Sequence, residues 1–205
     1  MEIIATDHVS NADHSLERLM NGNRRFVEGQ PTGLGTYRYS RDELSEGQRP
    51  YATILGCSDS RVPPELIFDT GLGEVFVIRV AGNIFSSVIA GSMQYAGSHL
   101  NTPLFVVLGH TKCGAVDGAL RSIDNKTRHA ARIQNLVDLI EPGIKDIDRK
   151  LSYEERLDIA VERNVRWTVR QILDTPEGKI REAEGKFKIV GAIYDIDTGQ
   201  VNILN

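Results

Sequence analysis

Short apolar runs recur along the middle and the end of the chain. They are Tyr51–Leu55, Val75–Val80, Leu104–Leu108 and Phe187–Tyr194. Each run is too short for a helix and is rich in Val, Ile and Phe. Because the runs are continuous rather than alternating in polarity, they predict strands that are buried on both faces of a parallel sheet.

The first fifty residues have a different pattern. Apolar side chains at helical spacing predict an amphipathic helix over Ser15–Glu28. Pro31–Pro50 is polar and rich in turn residues, and we interpret it as an extended arm with a short helix near Arg41–Glu46. The arm has few core residues of its own, so we expect it to pack on a partner.

Helical segments also lie between and after the predicted strands. They cover Ser86–Leu100, Ala115–Ser122 and the stretch from Thr127 to about Asp174, in which Ser152–Glu155 fits a capping box. A turn then precedes a last strand at Val201–Leu204. The predicted fold class is α/β: a central, mainly parallel β-sheet flanked by helices, with an N-terminal helical arm and a C-terminal antiparallel edge strand.

Length and composition narrow the class of protein. The chain has 205 residues, which fits one domain over 1–205, with 1–50 as helix and arm and 51–205 as the α/β core. Hydrophobic residues make up 40% and charged residues 25%, which excludes a disordered or fibrous protein. A net charge of -4 with interspersed signs argues against nucleic-acid binding.

The chain has no sequence features of a membrane protein or a secreted one. No apolar run approaches the ~20 residues that a membrane span needs, so we expect no membrane partner. The first residues lack the pattern of a secretory signal, and we predict a cytoplasmic protein. This prediction is also compatible with a leader peptide that was cleaved off and is not part of the sequence given.

The two cysteines stand where strands end. Cys57 directly follows the first predicted strand, and His110 and Cys113 follow the third. A cysteine pair is open to three interpretations: a disulfide, two core thiols, or metal ligands. Because ligands of open α/β sheets bind beyond the carboxyl ends of strands, and Asp59 and Arg61 lie close by, the joint placement favours a metal site over buried thiols beside a hydrogen-bonded histidine.

Two thiolates and one imidazole are a suitable ligand set for zinc. Three protein ligands without a fourth Cys or His are typical of a catalytic zinc site rather than a structural one. The fourth position is then left for water or, conditionally, for a carboxylate.

The two motifs resemble the signature of the β-class carbonic anhydrases. Cys57-Ser-Asp-Ser-Arg61 and His110-x-x-Cys113-Gly114 carry the resemblance, which covers roughly Gln48 to Leu120. It implies Zn²⁺ held by the two cysteines and the histidine. In this family an aspartate in the Asp59 position either binds the zinc or pairs with an arginine in the Arg61 position, which frees the fourth site for water.

Positions around the pocket divide that family into two groups. The plant-like, type I group has a glutamine nine positions before the first cysteine, here Gln48, and two pocket aromatics, matched by Phe76 and Tyr95. The other group has a tryptophan where this chain has Ile54. The resemblance therefore favours the plant-like group with an open site, whereas Arg79 is common to both groups.

The resemblance also implies a mechanism. A zinc-bound hydroxide attacks CO2, Asp59 accepts the hydroxide proton, and Gln48 donates a hydrogen bond to a substrate oxygen. The Gly114 amide is expected to help to offset the charge of the thiolates. Three side chains would form the dry wall of the pocket: Phe76, Ala81 and Tyr95.

The same resemblance implies an assembly. In the family the counterparts of Gln48 and of the pocket aromatics reach the zinc across a dimer interface, so we expect a homodimer or a dimer of dimers with CO2 and bicarbonate as substrates. Two alternatives stay open. One is a carbon disulfide or carbonyl sulfide hydrolase on the same scaffold, and the other is a non-catalytic zinc-containing regulatory module.

Overall fold

Five strands and eight α-helices are present in the residues that the computed structural model describes, 12–32, 39–185 and 187–204. The strands are β1 Ala52–Gly56, β2 Val75–Arg79, β3 Leu104–His110, β4 Lys188–Tyr194 and β5 Val201–Leu204. The helices are α1 Ala12–Val27, α2 Arg41–Glu46, α3 Pro64–Ile67, α4 Ser87–Ser98, α5 Gly114–Asn125, α6 Ala131–Ile144, α7 Tyr153–Asp174 and α8 Pro176–Glu184. Residues 33–38 of the predicted arm lie outside the described residues.

All five strands belong to one sheet in the order β2-β1-β3-β4-β5. The first four strands of this order pair in parallel, and β5 pairs antiparallel with β4 at the edge. The predicted fold class is therefore confirmed, including the antiparallel C-terminal edge strand. Every residue of β1 and β3 is buried, which accounts for their continuous apolar sequences.

The register of the sheet places the strand ends together. Gly56 at the end of β1 lies opposite Arg79 of β2 and Leu108 of β3. Strand β3 continues for two residues beyond its predicted end, because Gly109 and His110 pair with β4. The residues that follow β1 and end β3 thus share one edge of the sheet.

The two faces of the sheet bury two apolar clusters. Ile54 of β1 packs on one face with residues of α1, α5 and α6, whereas the next residue, Leu55, packs on the other face with α4 and α7. Full burial of a Leu or Ile side chain contributes about 1.5–3 kcal/mol of transfer free energy. Within the described ranges, none of the helices has the length and apolar character that crossing a membrane requires.

The predicted capping box at Ser152 and Glu155 is present and starts α7. Elsewhere the helical segments differ from the predicted ones in three places. The helical stretch predicted from Thr127 is not continuous: α6 ends at Ile144, with Pro142 in its last turn. Helices α3 and α8 were not predicted. Each is short and begins at a proline, so neither shows a helical repeat of apolar residues.

Two helical glycines should respond in opposite ways to alanine. A Cβ on Gly22 of α1 would lie 1.9 Å from the Phe68 carbonyl oxygen, whereas one on Gly118 of α5 meets only the His129 ring at 3.9 Å. We expect Gly22→Ala to lower the free energy of unfolding by about 1–3 kcal/mol or more. Gly118→Ala should raise it by up to about 1 kcal/mol. Urea denaturation of both variants measures the two changes, and equal effects would contradict the close packing of α1 on α3.

Candidate metal centre

Three predicted ligands converge at the carboxyl edge of the sheet. Cys57 directly follows β1, His110 is the last residue of β3, and Cys113 is the residue that precedes α5. Their ligand atoms all lie within 4.8 Å of one another, and all three side chains are buried. The register of β1 with β3 produces this convergence, because it holds the two strand ends side by side.

The His110 ring is oriented by the backbone. Its Nδ1 lies 2.9 Å from the carbonyl oxygen of Thr111, so Nδ1 carries the proton and Nε2 is left as an acceptor. Among the described residues, the buried Nε2 has no hydrogen-bond partner. An orphaned acceptor beside two sulfurs is what a metal ligand requires, and the donor set therefore fits zinc.

The two sulfurs form a coupled pair. The Cys113 thiol donates a hydrogen bond to Cys57, and this contact, with the amides of Asp59 and Gly82, lowers the pKa of Cys57. The same contact raises the pKa of Cys113 well above its usual range, against the backbone amides at the start of α5. A bound cation would stabilise both sulfurs as thiolates.

A tight turn delivers one of the amides to Cys57. The Gly82 N–H donates to the Cys57 Sγ at 3.3 Å. Gly82 has a φ of 71°, and a Cβ there would lie 2.8 Å from Ile140 Cδ1. Only glycine therefore fits both the backbone conformation and the space. The half-buried Ala81 begins this turn, which puts it one residue from the sulfur contact.

Asp59 is held by Arg61. The guanidinium donates from Nε to Oδ1 at 2.9 Å and from Nη2 to Oδ2 at 2.7 Å, and the Arg61 backbone N–H also donates to Oδ1. In the part of the chain that the structure describes, Asp59 is not a member of the ligand cluster. Its Oδ2 lies 4.0 Å from His110 Nε2. The carboxylate is therefore beside the cluster but turned towards Arg61.

The ion pair also controls the charge of this carboxylate. The hydrogen bonds from Arg61 hold the pKa of Asp59 far below its usual range, against the opposing effect of partial burial. Because this pKa is lowered in the folded state, the ion pair adds to stability above about pH 4, the ordinary aspartate value. That contribution is lost as the pH falls through the lowered pKa. Asp59 is ionised throughout the neutral range.

Arg79 is a residue of the site whose position the sequence did not reveal. It ends β2, and its Nε donates to the Cys57 carbonyl at 2.9 Å while Nη2 donates to the Asp59 carbonyl at 2.6 Å. The planar fork thereby fixes the backbone on both sides of Ser58. The register of β1 with β2 places Arg79 opposite Gly56, the residue before Cys57.

The remaining predicted site residues lie in different parts of the structure. The rings of Phe76 and Tyr95 lie together, with centroids 6.1 Å apart, and Tyr95 is 46% exposed. Gly114 is the exposed first residue of α5, next to Cys113. Gln48 lies exposed after α2, and in the described parts of a single chain no hydrogen bond joins it to the three ligands. Gly114 thus adjoins a ligand in the chain, and Ala81 adjoins the glycine that donates to Cys57.

Comparisons with known proteins agree with this geometry. The family described as carbonic anhydrase matches residues 52–201. The chain belongs to the carbonic anhydrase family. Carbonic anhydrase 2 of Mycobacterium tuberculosis is 41% identical over 184 residues, which cover 89% of this chain and 87% of that protein.

Solved structures identify the β class of that family. The β-carbonic anhydrase CcaA superimposes with a TM-score of 0.77 at 29% identity, covering 93% of this chain and 87% of its own. A tetrameric β-carbonic anhydrase of Sordaria macrospora has a TM-score of 0.71 at 26% identity, covering 80% of this chain and 85% of its own. This β-carbonic anhydrase hydrates CO2 reversibly with zinc as its cofactor, and the hydrolase and regulatory alternatives are not favoured.

The three ligands make a direct prediction about metal content. We expect one zinc per chain in the purified protein and a loss of most of that zinc in His110→Ala, because the variant lacks the only imidazole of the cluster. His129→Ala is the matched control, since its ring lies against the Gly118 carbonyl on α5 and it should keep one zinc per chain. Elemental analysis measures both. Equal zinc in the two variants would contradict the ligand assignment.

Proposed function

We propose that this carbonic anhydrase hydrates CO2 at the Cys57, His110 and Cys113 cluster, with these three side chains holding the zinc. When bound, zinc supplies the Lewis acidity that makes water a nucleophile at neutral pH. One observation carries the assignment: three ligand atoms of suitable chemistry lie within 4.8 Å of one another, while Arg61 holds the carboxylate of Asp59. The paired state of Asp59 favours an open fourth position, as expected for the plant-like, type I group.

Asp59 orients the attacking water in this proposal. An ionised carboxylate only accepts hydrogen bonds, and the lowered pKa of Asp59 keeps it ionised in the neutral range. Its Oδ2 lies 4.0 Å from His110 Nε2, which supports a role beside the metal ligands. Asp59 would accept a hydrogen bond from the attacking water at a carboxylate oxygen, and so orient a lone pair of the water oxygen towards the CO2 carbon. Arg61 has the role of keeping the carboxylate off the metal.

The substrate pocket is proposed to combine apolar and polar groups. Phe76, Tyr95 and Ala81 form the wall for an apolar substrate, which the pairing of the two rings supports. Gln48 donates its amide N–H to a CO2 oxygen as negative charge develops there. The exposed Gly114 amide lies at the start of α5, where the partial positive charge of the helix favours an anion such as bicarbonate.

We propose that the complete site needs two chains. Gln48 is exposed, and within the described residues no hydrogen bond joins it to the ligands of its own chain, while Tyr95 is half-exposed at the surface of α4. Both observations support a homodimer in which each arm serves the partner's zinc. A tetramer of the kind named for the Sordaria macrospora protein would be a dimer of such dimers.

The domain organisation and the location of the protein belong to the same proposal. We infer that residues 1–205 act as a single domain, with 1–50 as the N-terminal helix and arm and 51–205 as the zinc-binding α/β core. The shared apolar cluster of α1 and the sheet supports this. Both thiols have to stay reduced in order to bind zinc, which favours the reducing cytoplasm.

Asp59→Asn tests the catalytic role of the carboxylate. The amide keeps the shape of Asp59 but carries no charge and places an N–H donor where one carboxylate oxygen accepted, so kcat/KM for CO2 hydration in stopped flow should fall by about 100-fold or more. Zinc content should stay at one per chain. The control is Glu162→Gln, which removes an exposed carboxylate paired with Arg166 on α7 and should leave the rate unchanged. Wild-type kcat/KM in Asp59→Asn would exclude this role, and no hydration by the wild-type protein above the buffer rate would exclude the function itself.

Mixed dimers test whether Gln48 acts across the interface. Gln48→Ala should lose about 100-fold in rate because it lacks a donor to the developing charge, and His110→Ala should be inactive because it lacks a ligand. If Gln48 serves the partner, mixed dimers regain one complete site. An equal mixture then recovers about a quarter of the wild-type rate. No recovery, with mixed dimers verified by native mass spectrometry, would show that Gln48 does not act in trans.

A further inference from the structure

The turn between β4 and β5 contacts the loop that carries two of the ligands. The Thr111 N–H donates to the Tyr194 carbonyl at 3.0 Å, and the Ile196 N–H donates to the Thr111 Oγ1 at 3.0 Å. These bonds continue the β3–β4 pairing by one residue beyond His110. The loop of residues 110–113 is thereby joined to the β4–β5 turn, which contributes none of the three ligands.

The same threonine also contacts the imidazole. The Thr111 carbonyl oxygen accepts the hydrogen bond from His110 Nδ1 at 2.9 Å. Because this bond fixes both the tautomer and the ring orientation, the position of one carbonyl oxygen decides where Nε2 points. The Thr111 side chain and N–H, in turn, decide where that carbonyl lies.

We propose that Thr111 is a positioning residue of the zinc site: its hydroxyl anchors the loop to the β4–β5 turn, so that its carbonyl holds the His110 ring in the metal-binding orientation. The inference rests on the proposed zinc site, and it adds to that site a residue that does not itself bind the metal. It predicts that the hydroxyl at position 111 affects metal affinity as well as stability.

The β4–β5 turn is itself held in place by several hydrogen bonds. Asp195 Oδ1 accepts from the N–H groups of Asp197 and Thr198. From α1, the buried Asn23 donates to the Gly199 carbonyl and accepts from the Val201 N–H, both at 2.9 Å. The turn is thus held by its own hydrogen bonds and by a helix from the other end of the chain.

A second contact between turn and loop is much weaker. Lys112 Nζ pairs with both oxygens of Asp197 at 2.7 and 2.6 Å, but both side chains are more than half exposed. Exposed ion pairs of this kind contribute little because water and salt screen them. The anchoring is therefore assigned to Thr111 rather than to Lys112, and Asp197→Asn should leave zinc affinity unchanged.

Thr111→Val and Thr111→Ser separate the hydroxyl from the shape of the side chain. Zinc affinity of the full chain is measured by competition with a chelator of known affinity. Thr111→Val should raise the zinc Kd by about tenfold, which is the lower end of the effect of removing a partner of a metal-binding histidine. Thr111→Ser keeps the hydroxyl and should have the wild-type Kd. Thr175→Val is the matched control: its Oγ1 also accepts a backbone N–H, from Gly178 at 3.0 Å, so it should lower stability without changing the zinc Kd.

The ring tautomer provides a measurement that needs no variant. Nitrogen-15 NMR of the zinc-loaded wild-type protein should show His110 protonated at Nδ1. Folded Thr111→Val with wild-type zinc affinity would overturn the proposal, as would Thr175→Val with an equal loss of affinity. If Thr111→Val does not fold, an unprotonated Nδ1 in the wild-type protein overturns it. None of these readouts uses CO2, so an inactive protein would contradict the proposed function and leave this inference standing.

Discussion

The parallel register between β1 and β3 is the constraint on which the site depends. It sets Gly56 opposite Leu108, and Cys57 is the next residue after Gly56 while His110 is the second residue after Leu108. A shift of this register by one residue would exchange the faces of a buried strand. The apolar clusters on the two sides of the sheet exclude such a shift, so the packing of the core determines where the ligands meet.

Charge is the second requirement of this site. Two sulfurs, an imidazole and a carboxylate lie at one sheet edge, and each interaction around them limits repulsion. Arg61 neutralises Asp59, the Gly82 amide faces Cys57, and the start of α5 faces Cys113. Backbone amides and one guanidinium thus stabilise negative charge without occupying a ligand position. The orphaned His110 Nε2 is the atom that these interactions leave to the metal.

The sequence predicted the sheet well because its signal is strong. Continuous runs rich in Val and Ile are typical of buried strands. The sheet then determines the position of ligands that directly follow such runs. Helices α3 and α8 gave no such signal, since nine residues or fewer carry little periodicity. The role of Arg79 could not be predicted, because it binds carbonyl oxygens, and every residue has one. The same holds for Thr111, whose hydroxyl contacts the backbone of a distant turn.

The ligands come from segments that lie far apart in the chain, and this affects what a stability measurement means. Zinc bound by Cys57, His110 and Cys113 would link β1, β3 and α5 in the native state only, since the unfolded chain does not hold these atoms together. Each tenfold rise in free zinc above its Kd then adds about 1.4 kcal/mol to the free energy of unfolding. The melting temperature of this protein is consequently a property of the chain and its metal buffer together.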